Sequence, residues 1–313
     1  MGMGAADVVP GVSGGTIAFI TGIYEELLRS IKSVNPTALK KLFGEGFLSF
    51  WNHINGNFLT VVLGGVLLSV ISLARGILFL LEHFPILIWS FFFGLILASA
   101  LVIAESIRKW NPGVFIAVFL GTAIAYIVTI ISPAETPTDN WFIFLSGAIA
   151  ICAMILPGIS GSFILLLLGK YEYILEALKD LKISVILIFA AGCVTGLLGF
   201  SHLLSWMFTK FRDVTIAVLA GFMIGSLNKV WPWKETLQYR INSKGEEVPF
   251  LQENILPGTY QDLYHEPSQL TGAIILFVAG FLLVYLFEKV VNKKVDMDFD
   301  AENTNETGTA KST

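Results

Sequence analysis

Two glycine- and serine-rich segments contain the residue types that bind anions. The first is PGVSGGT at residues 10–16, and the second is PGISGS at residues 157–162. A glycine-rich turn that leads into a helix presents unpaired backbone N–H groups and the positive end of the helix dipole to an anion. Two such turns meeting in a dry site could hold a phosphate-sized group. The alternative is that small residues only let two hairpins pack closely. The predicted ligands are Ser13, Gly14, Gly15, Thr16, Ser160, Gly161 and Ser162.

Two basic residues within apolar segments extend this prediction. A charge inside a membrane is costly, so it is by default a functional residue. Arg75 is predicted to act as a phosphate ligand; the alternative is that it reaches outward to the lipid headgroups. His202 is its counterpart in the second half of the chain. It could supply a second cation or take part in coupling or an ion pair, or it could be a hydrogen-bonded packing residue.

Acidic residues near the turns are candidates for a coupling site that takes a proton or sodium, or for an ion pair with Arg75. Glu25 and Glu172 belong to matching Tyr-Glu dipeptides, and they could equally be interfacial residues at helix ends. Asp7 precedes the first turn, but its counterpart is Met154, so the repetition of the sequence gives it no support. The motifs of metal sites, phosphate loops and dinucleotide folds are missing, so no metal and no cofactor is predicted.

The elements that position these residues must be membrane segments. The chain has 313 residues, of which 55% are apolar and 14% are charged. Soluble proteins have about 25% charged residues. This composition excludes a cytosolic enzyme, a nucleic-acid binder and a disordered scaffold, and it indicates a protein that spans the membrane several times.

Apolar runs of about 20 residues predict membrane-spanning helices. Residues 4–30 and 141–178 are interrupted by proline and glycine, and each is predicted to be a re-entrant hairpin. Irregular backbone persists at membrane depth only where protein or a polar cavity surrounds it. The predicted spans are 58–82, 85–107, 112–132, 184–209, 213–230 and 270–291.

The spacing of glycine and tyrosine repeats between the two halves. At an offset of 147 residues the two turns align, and Tyr24 aligns with Tyr171. At an offset of 127 residues Gly94 aligns with Gly221, and a third block aligns at an offset of 159 residues. The chain is therefore predicted to be a duplication, with repeats at 1–132 and 141–292. Each repeat has one re-entrant hairpin and three spans.

Each repeat crosses the membrane three times. Because three is odd, the second repeat starts on the opposite side of the membrane from the first and must be inverted. The predicted fold is an all-α polytopic membrane protein with two inverted repeats, an architecture of secondary transporters. Lys and Arg are more numerous on the side that holds both termini, which are therefore predicted to be cytoplasmic. Residues 231–269 are predicted to be an extracytoplasmic loop, and residues 293–313 a disordered cytoplasmic tail.

The string GAADVVPGVSGGT at residues 4–16, followed by GIYE at 22–25, resembles a signature of the bacterial polyprenyl-phosphate transporter family (PopT), long catalogued as a domain of unknown function. LPGISGS and GKYE, at 156–162 and 169–172, are similar to its second signature. The resemblance covers about residues 1–292. It implies a flippase of the cytoplasmic membrane that recycles undecaprenyl phosphate, the lipid carrier of envelope sugars, from the outer to the inner leaflet for peptidoglycan and other cell-envelope synthesis.

Two other functions fit parts of the sequence. A secondary transporter of a small inorganic or organic anion would use the same turns in a closed pocket. An intramembrane serine hydrolase would need a Ser–His pair, for which Ser160 and His202 are the candidates. The motif around Ser160 is duplicated while His202 has no second copy, and no strand precedes either turn. We therefore expect a transporter rather than an enzyme.

Overall fold

The computed structural model describes residues 1–7, 13–131, 136–241 and 247–286. Pro10, Gly11 and Val12 of the first turn, the end of the last predicted span and the predicted tail at 293–313 lie outside these ranges. The described chain is mostly helical. This agrees with the predicted class of helical membrane protein.

Residues 1–131 form short helices followed by three long ones. Proline occupies the first turn of α4, α7 and α8, where its missing N–H removes no helical hydrogen bond. Gly22 (φ +73°) provides the left-handed turn between α2 and α3. The helices are α1 (Gly2–Asp7), α2 (Gly14–Ile20), α3 (Tyr24–Lys32), α4 (Pro36–Gly44), α5 (Phe47–His53), α6 (Gly56–His83), α7 (Pro85–Glu105) and α8 (Pro112–Ile130).

Residues 136–286 repeat the alternation of short and long helices and add a β-hairpin. Gly169 (φ +60°) separates α10 from α11 as Gly22 separates α2 from α3. The elements are α9 (Asn140–Ile155), α10 (Gly161–Leu167), α11 (Tyr171–Lys179), α12 (Ile183–Lys210), α13 (Arg212–Ser226), β1 (Lys234–Ile241), β2 (Glu247–Asn254), α14 (Pro257–Tyr264) and α15 (Leu270–Leu286).

Two features differ from the sequence predictions. Strands β1 and β2 pair antiparallel inside 231–269, for which only a loop was expected. Helix α13 ends at Ser226, whereas a span to residue 230 was predicted. Beyond this end, the Asn228 side chain donates a hydrogen bond to Thr129 Oγ1 at 2.7 Å, and Pro232 cannot continue a helix.

Four helices of the described chain are long and apolar enough to span a membrane: α6, α7, α8 and α12. Helices α9 and α15 are apolar but shorter within the described ranges. Large apolar side chains on the long helices are exposed, among them Val61, Ile71, Phe119 and Leu187. Such a surface is stable against lipid and not against water. The protein is therefore a membrane protein.

Glycines allow the central helices to approach closely. A Cβ at Gly121 of α8 would lie 2.5 Å from the Val218 carbonyl oxygen of α13, and Gly221 faces α8 in the same way. Gly94 of α7 and Gly280 of α15 each face backbone of the other helix. The core is built around α7 and α13, where side chains such as Ile96 and Met223 are fully buried.

Candidate functional site

The N-terminus of α2 is occupied by side chains of the protein itself. Asp7 Oδ1 accepts a hydrogen bond of 2.7 Å from Gly14 N. Ser13 has extended backbone and its Oγ accepts a bond of 3.1 Å from Gly15 N. The backbone donors predicted to bind a substrate anion here are thus already paired. Asp7, for which the repetition gave no support, places its carboxylate where that anion was expected.

The first turn contacts the segment that contains the second. Ser13 Oγ donates to the Met154 carbonyl oxygen at 3.1 Å. Thr16 Oγ1, fully buried, accepts a bond of 3.1 Å from Gly158 N. Tyr24 reaches the same segment, since its hydroxyl donates to the Ile155 carbonyl oxygen at 3.2 Å. The described part of the first turn is therefore joined directly to residues 154–158.

The N-terminus of α10 differs from that of α2. Ser160 is its N-cap residue, yet the side chain makes no capping hydrogen bond. Ser160 Oγ instead lies 2.9 Å from Ser162 Oγ. Ser160 is buried, Ser162 is exposed, and Gly161 packs against the carbonyl oxygen of α9 residue Ala150. Met154, the counterpart of Asp7, has no carboxylate, so this helix start has hydroxyls beside it but no acid of the kind that caps α2.

A basic residue lies beside this second turn. Lys229 lines a cleft of about 10 Å³ together with Ser160, Phe163 and Ser226, and its Nζ lies 4.4 Å from the centre of the Phe163 ring. This volume is room for about one water molecule. Lys229 was not predicted as a site residue because it falls among the cations of the outer loop. Its position as the first charge after the apolar run of α13 was the available signal.

A second lysine extends this cluster into the β-hairpin. Lys234 Nζ donates to the Lys229 carbonyl oxygen at 2.6 Å and lies 4.7 Å from the centre of the Trp89 ring. Burial, together with the nearby ammonium of Lys229, lowers the pKa of Lys234 to about 7. The lysine pair gives this end of the molecule a partly desolvated positive charge.

Within the described residues, the side chains of Arg75, Glu25 and His202 make no hydrogen bond or ion pair with either turn. Arg75 is exposed on α6 and, within the described ranges, makes no hydrogen bond or ion pair. Glu25 pairs with Arg212, with 3.1 Å between Oε1 and Nη1, and not with Arg75. His202 is exposed, and its Nδ1 lies 2.8 Å from the Leu198 carbonyl oxygen of its own helix. Glu172 is partly buried near the start of α11.

Comparison with known proteins relates this arrangement to a family. Residues 3–248 match a family model described as undecaprenyl phosphate translocase-like. The chain is also 50% identical over 293 residues to a polyprenyl-phosphate transporter of Vibrio cholerae, which covers 94% of this chain and 95% of the relative. The chain belongs to this translocase-like family.

A second polyprenyl-phosphate transporter is similar to the chain at lower identity. A polyprenyl-phosphate transporter of Staphylococcus aureus is 31% identical over 248 residues, which covers 74% of this chain and 83% of the relative. No solved structure is significantly similar to the chain. The family and relatives are named as transporters rather than enzymes. Ser160 Oγ contacts Ser162 Oγ, and His202 Nδ1 contacts the Leu198 carbonyl oxygen of its own helix.

Proposed function

We propose that the protein is a flippase for undecaprenyl phosphate, which it returns from the outer to the inner leaflet of the bacterial cytoplasmic membrane for cell-envelope synthesis. The names of its relatives support polyprenyl phosphate as the substrate class. The phosphate headgroup is charged and does not cross hydrocarbon unaided. The protein must therefore replace its water with hydrogen-bond donors while the prenyl tail stays in lipid.

The observation that carries the proposed site is the difference between the N-termini of α2 and α10. The carboxylate of Asp7 accepts a hydrogen bond from the first turn of α2, whereas the N-cap residue of α10 makes no side-chain capping hydrogen bond. Once the cleft of about 10 Å³ beside Lys229 widens, a phosphate at α10 would receive backbone N–H groups and the hydroxyls of Ser160 and Ser162, and Lys229 would balance its charge. The residues of the first turn, Ser13 and Thr16, then hold the second turn in place rather than contact the phosphate.

The predicted inverted repeat gives this site a route between the leaflets. Helices α6 and α12 each have 28 residues, and the pairs α2/α10 and α3/α11 also match in length. The α8–α13 and α7–α15 contacts use glycines at corresponding positions. Rocking of one repeat against the other would expose the turns first to the outer and then to the inner leaflet.

A coupling ion would act through a carboxylate that contacts the turns. Among the four candidates from the sequence, Asp7 makes such a contact, while Glu25 is in an exposed ion pair with Arg212. Protonation of Asp7 would weaken its bond to Gly14 N and so loosen the first turn. We therefore place proton coupling at Asp7. Arg75, exposed on α6, is proposed to attract the anionic headgroup from the surrounding leaflet.

Reconstitution in liposomes tests the function. The wild-type chain should move undecaprenyl phosphate between leaflets, as followed by its accessibility to an external phosphatase, and inorganic phosphate in excess should not compete. Protein-free liposomes are the control. Transport of inorganic phosphate, with no movement of the lipid, would instead establish the small-anion transporter.

A further inference from the structure

A separate polar cavity lies beside α3. It has a volume of about 600 Å³, and none of the described residues of the two turns lines it. We call it the α3 vestibule. It is bordered by α3, the chain that follows α3, the end of α5 and one residue of α12. Its lining residues include Glu26, Arg29, Lys32, Ser33, His53 and Ser205.

The charges of the vestibule favour an anion. Glu26 Oε1 accepts a hydrogen bond of 2.8 Å from Asn55 Nδ2, and Lys32 Nζ donates a hydrogen bond of 3.3 Å to Ser205 Oγ. Arg29 is exposed, and its guanidinium has no hydrogen bond or ion pair to a described residue. Two cations thus face one carboxylate whose oxygen is already bonded, and the guanidinium of Arg29 is available for a bidentate contact with phosphate.

His53 adds an unmet hydrogen-bonding group. Its Nε2 is buried and has no partner within the described chain. A buried polar atom without a partner destabilises the fold. An anion bound in the vestibule, after rotation of the ring toward it, would supply the acceptor that the imidazole N–H lacks.

The surroundings of the vestibule point to a lipid as the source of that anion. On α4 and α5, Phe43, Phe47 and Leu48 are 85%, 62% and 72% exposed, and Lys40 lies on the same segment. Exposed apolar side chains next to lysines are typical of helices that lie in the membrane interface. With α4 and α5 lying in that interface, the vestibule, which His53 borders at the end of α5, would be at the level of the lipid headgroups.

A smaller cavity adjoins the vestibule and is suited to the start of an apolar tail. It has a volume of about 230 Å³ and shares Arg29 and Ser205 with the vestibule; its other lining residues are Glu25, Thr209 and the apolar Leu28 and Phe208. A headgroup at Arg29 would therefore leave the first tail carbons against apolar side chains.

We propose that the α3 vestibule binds the phosphate monoester headgroup of a polyprenyl phosphate in the leaflet where α4 and α5 lie, as the site from which the transported lipid is released. This inference rests on the proposed function for its direction. It assigns to the protein a second phosphate site, distinct from the turns, made by Arg29, Lys32 and His53.

A cysteine placed in the vestibule tests binding at this position. The full chain in nanodiscs, with Cys152→Ala and Cys193→Ala, receives Ser33→Cys, and its modification by a water-soluble maleimide is timed. Farnesyl phosphate should slow the reaction at least fivefold, and farnesol should not. Equal protection by inorganic phosphate would overturn the lipid assignment in favour of a free anion. Lack of protection by either phosphate would overturn the site.

Matched charge variants complete the test. Arg29→Gln with Lys32→Gln should abolish the protection by farnesyl phosphate, whereas Lys40→Gln with Lys210→Gln, which removes the same charge elsewhere, should retain it. Protection that survives the first pair would contradict the proposal. Lipid transport by wild-type protein without vestibule protection would refute this inference alone. Protection without transport would refute the proposed function and the release role, and would leave the phosphate site itself in place.

Discussion

Asp7 Oδ1 accepts a hydrogen bond of 2.7 Å from Gly14 N, so a carboxylate of the chain itself lies at the start of α2. The equivalent helix α10 has Met154 in place of the acid and no side-chain cap. The two turns are alike in sequence, yet one is closed by its own anion. This difference is the basis for placing the substrate phosphate at the second turn.

Asp7→Asn separates the charge of this residue from its hydrogen bond. The amide oxygen can still accept from Gly14 N, so the melting temperature should stay close to the wild-type value, while any dependence of lipid transport on a proton gradient should disappear. Asp7→Ala removes the cap as well and should cost about 1 kcal/mol of stability. Gradient-dependent transport by Asp7→Asn would exclude Asp7 as the coupling group.

The contact between the turns depends on Thr16. Thr16→Val keeps the shape of the side chain but leaves Gly158 N, buried in the junction, without its acceptor. We expect a loss of about 1–3 kcal/mol of stability, measured by chemical or thermal unfolding in detergent. The control is Thr60→Val, because the Thr60 hydroxyl is exposed and bonds only within its own helix. Equal effects of the two variants would contradict the contact.

Helix approach at Gly94 should not tolerate a methyl group. A Cβ there would overlap the Phe277 carbonyl oxygen of α15, so Gly94→Ala should lower the melting temperature and reduce the yield of monodisperse protein. Gly199→Ala is the matched control, since its added Cβ meets open space within α12. Alanine is the better helix former by about 1 kcal/mol, so Gly199→Ala should be neutral or stabilising.

Lys234 should make stability depend on pH. Its pKa is lowered to about 7 in the folded protein, against 10.5 for an ordinary lysine. Between these values the unfolded chain binds a proton that the folded chain does not, so stability should rise as the pH increases from 7.5 to 9. Comparison of melting temperatures for wild type and Lys234→Met isolates this effect. The melting temperature of Lys234→Met should rise less between pH 7.5 and 9 than that of the wild type. Equal changes of melting temperature with pH in the two proteins would contradict the lowered pKa.

The sequence predicts the helical segments well because long apolar runs have one stable arrangement in lipid. The segment predicted at 58–82 overlaps α6, and that at 184–209 overlaps α12. The end of α13 was misplaced because Asn228 leaves the helix to bond Thr129, a contact between residues far apart in sequence. The inverted repeat, the re-entrant depth and the membrane orientation stay predictions.

The site was predicted only in part, for a physical reason. Glycine and serine at 13–16 and 160–162 indicate a turn that leads into a helix, but the sequence does not tell whether the backbone N–H donors bond within the protein. Asp7 and Met154 differ at one aligned position, and tertiary contact decides that the acid binds Gly14. Likewise Lys229 reaches Phe163 only once α13 packs beside the second turn.

The most direct test of the central claim is the rate at which undecaprenyl phosphate changes leaflet in liposomes containing Lys229→Gln or Ser160→Ala. The account predicts at least a tenfold loss for each variant, which corresponds to about 1.4 kcal/mol. Lys179→Gln, an exposed lysine at the end of α11, should transport at the wild-type rate. Wild-type rates for Lys229→Gln and Ser160→Ala, in folded protein, would contradict phosphate binding at the second turn.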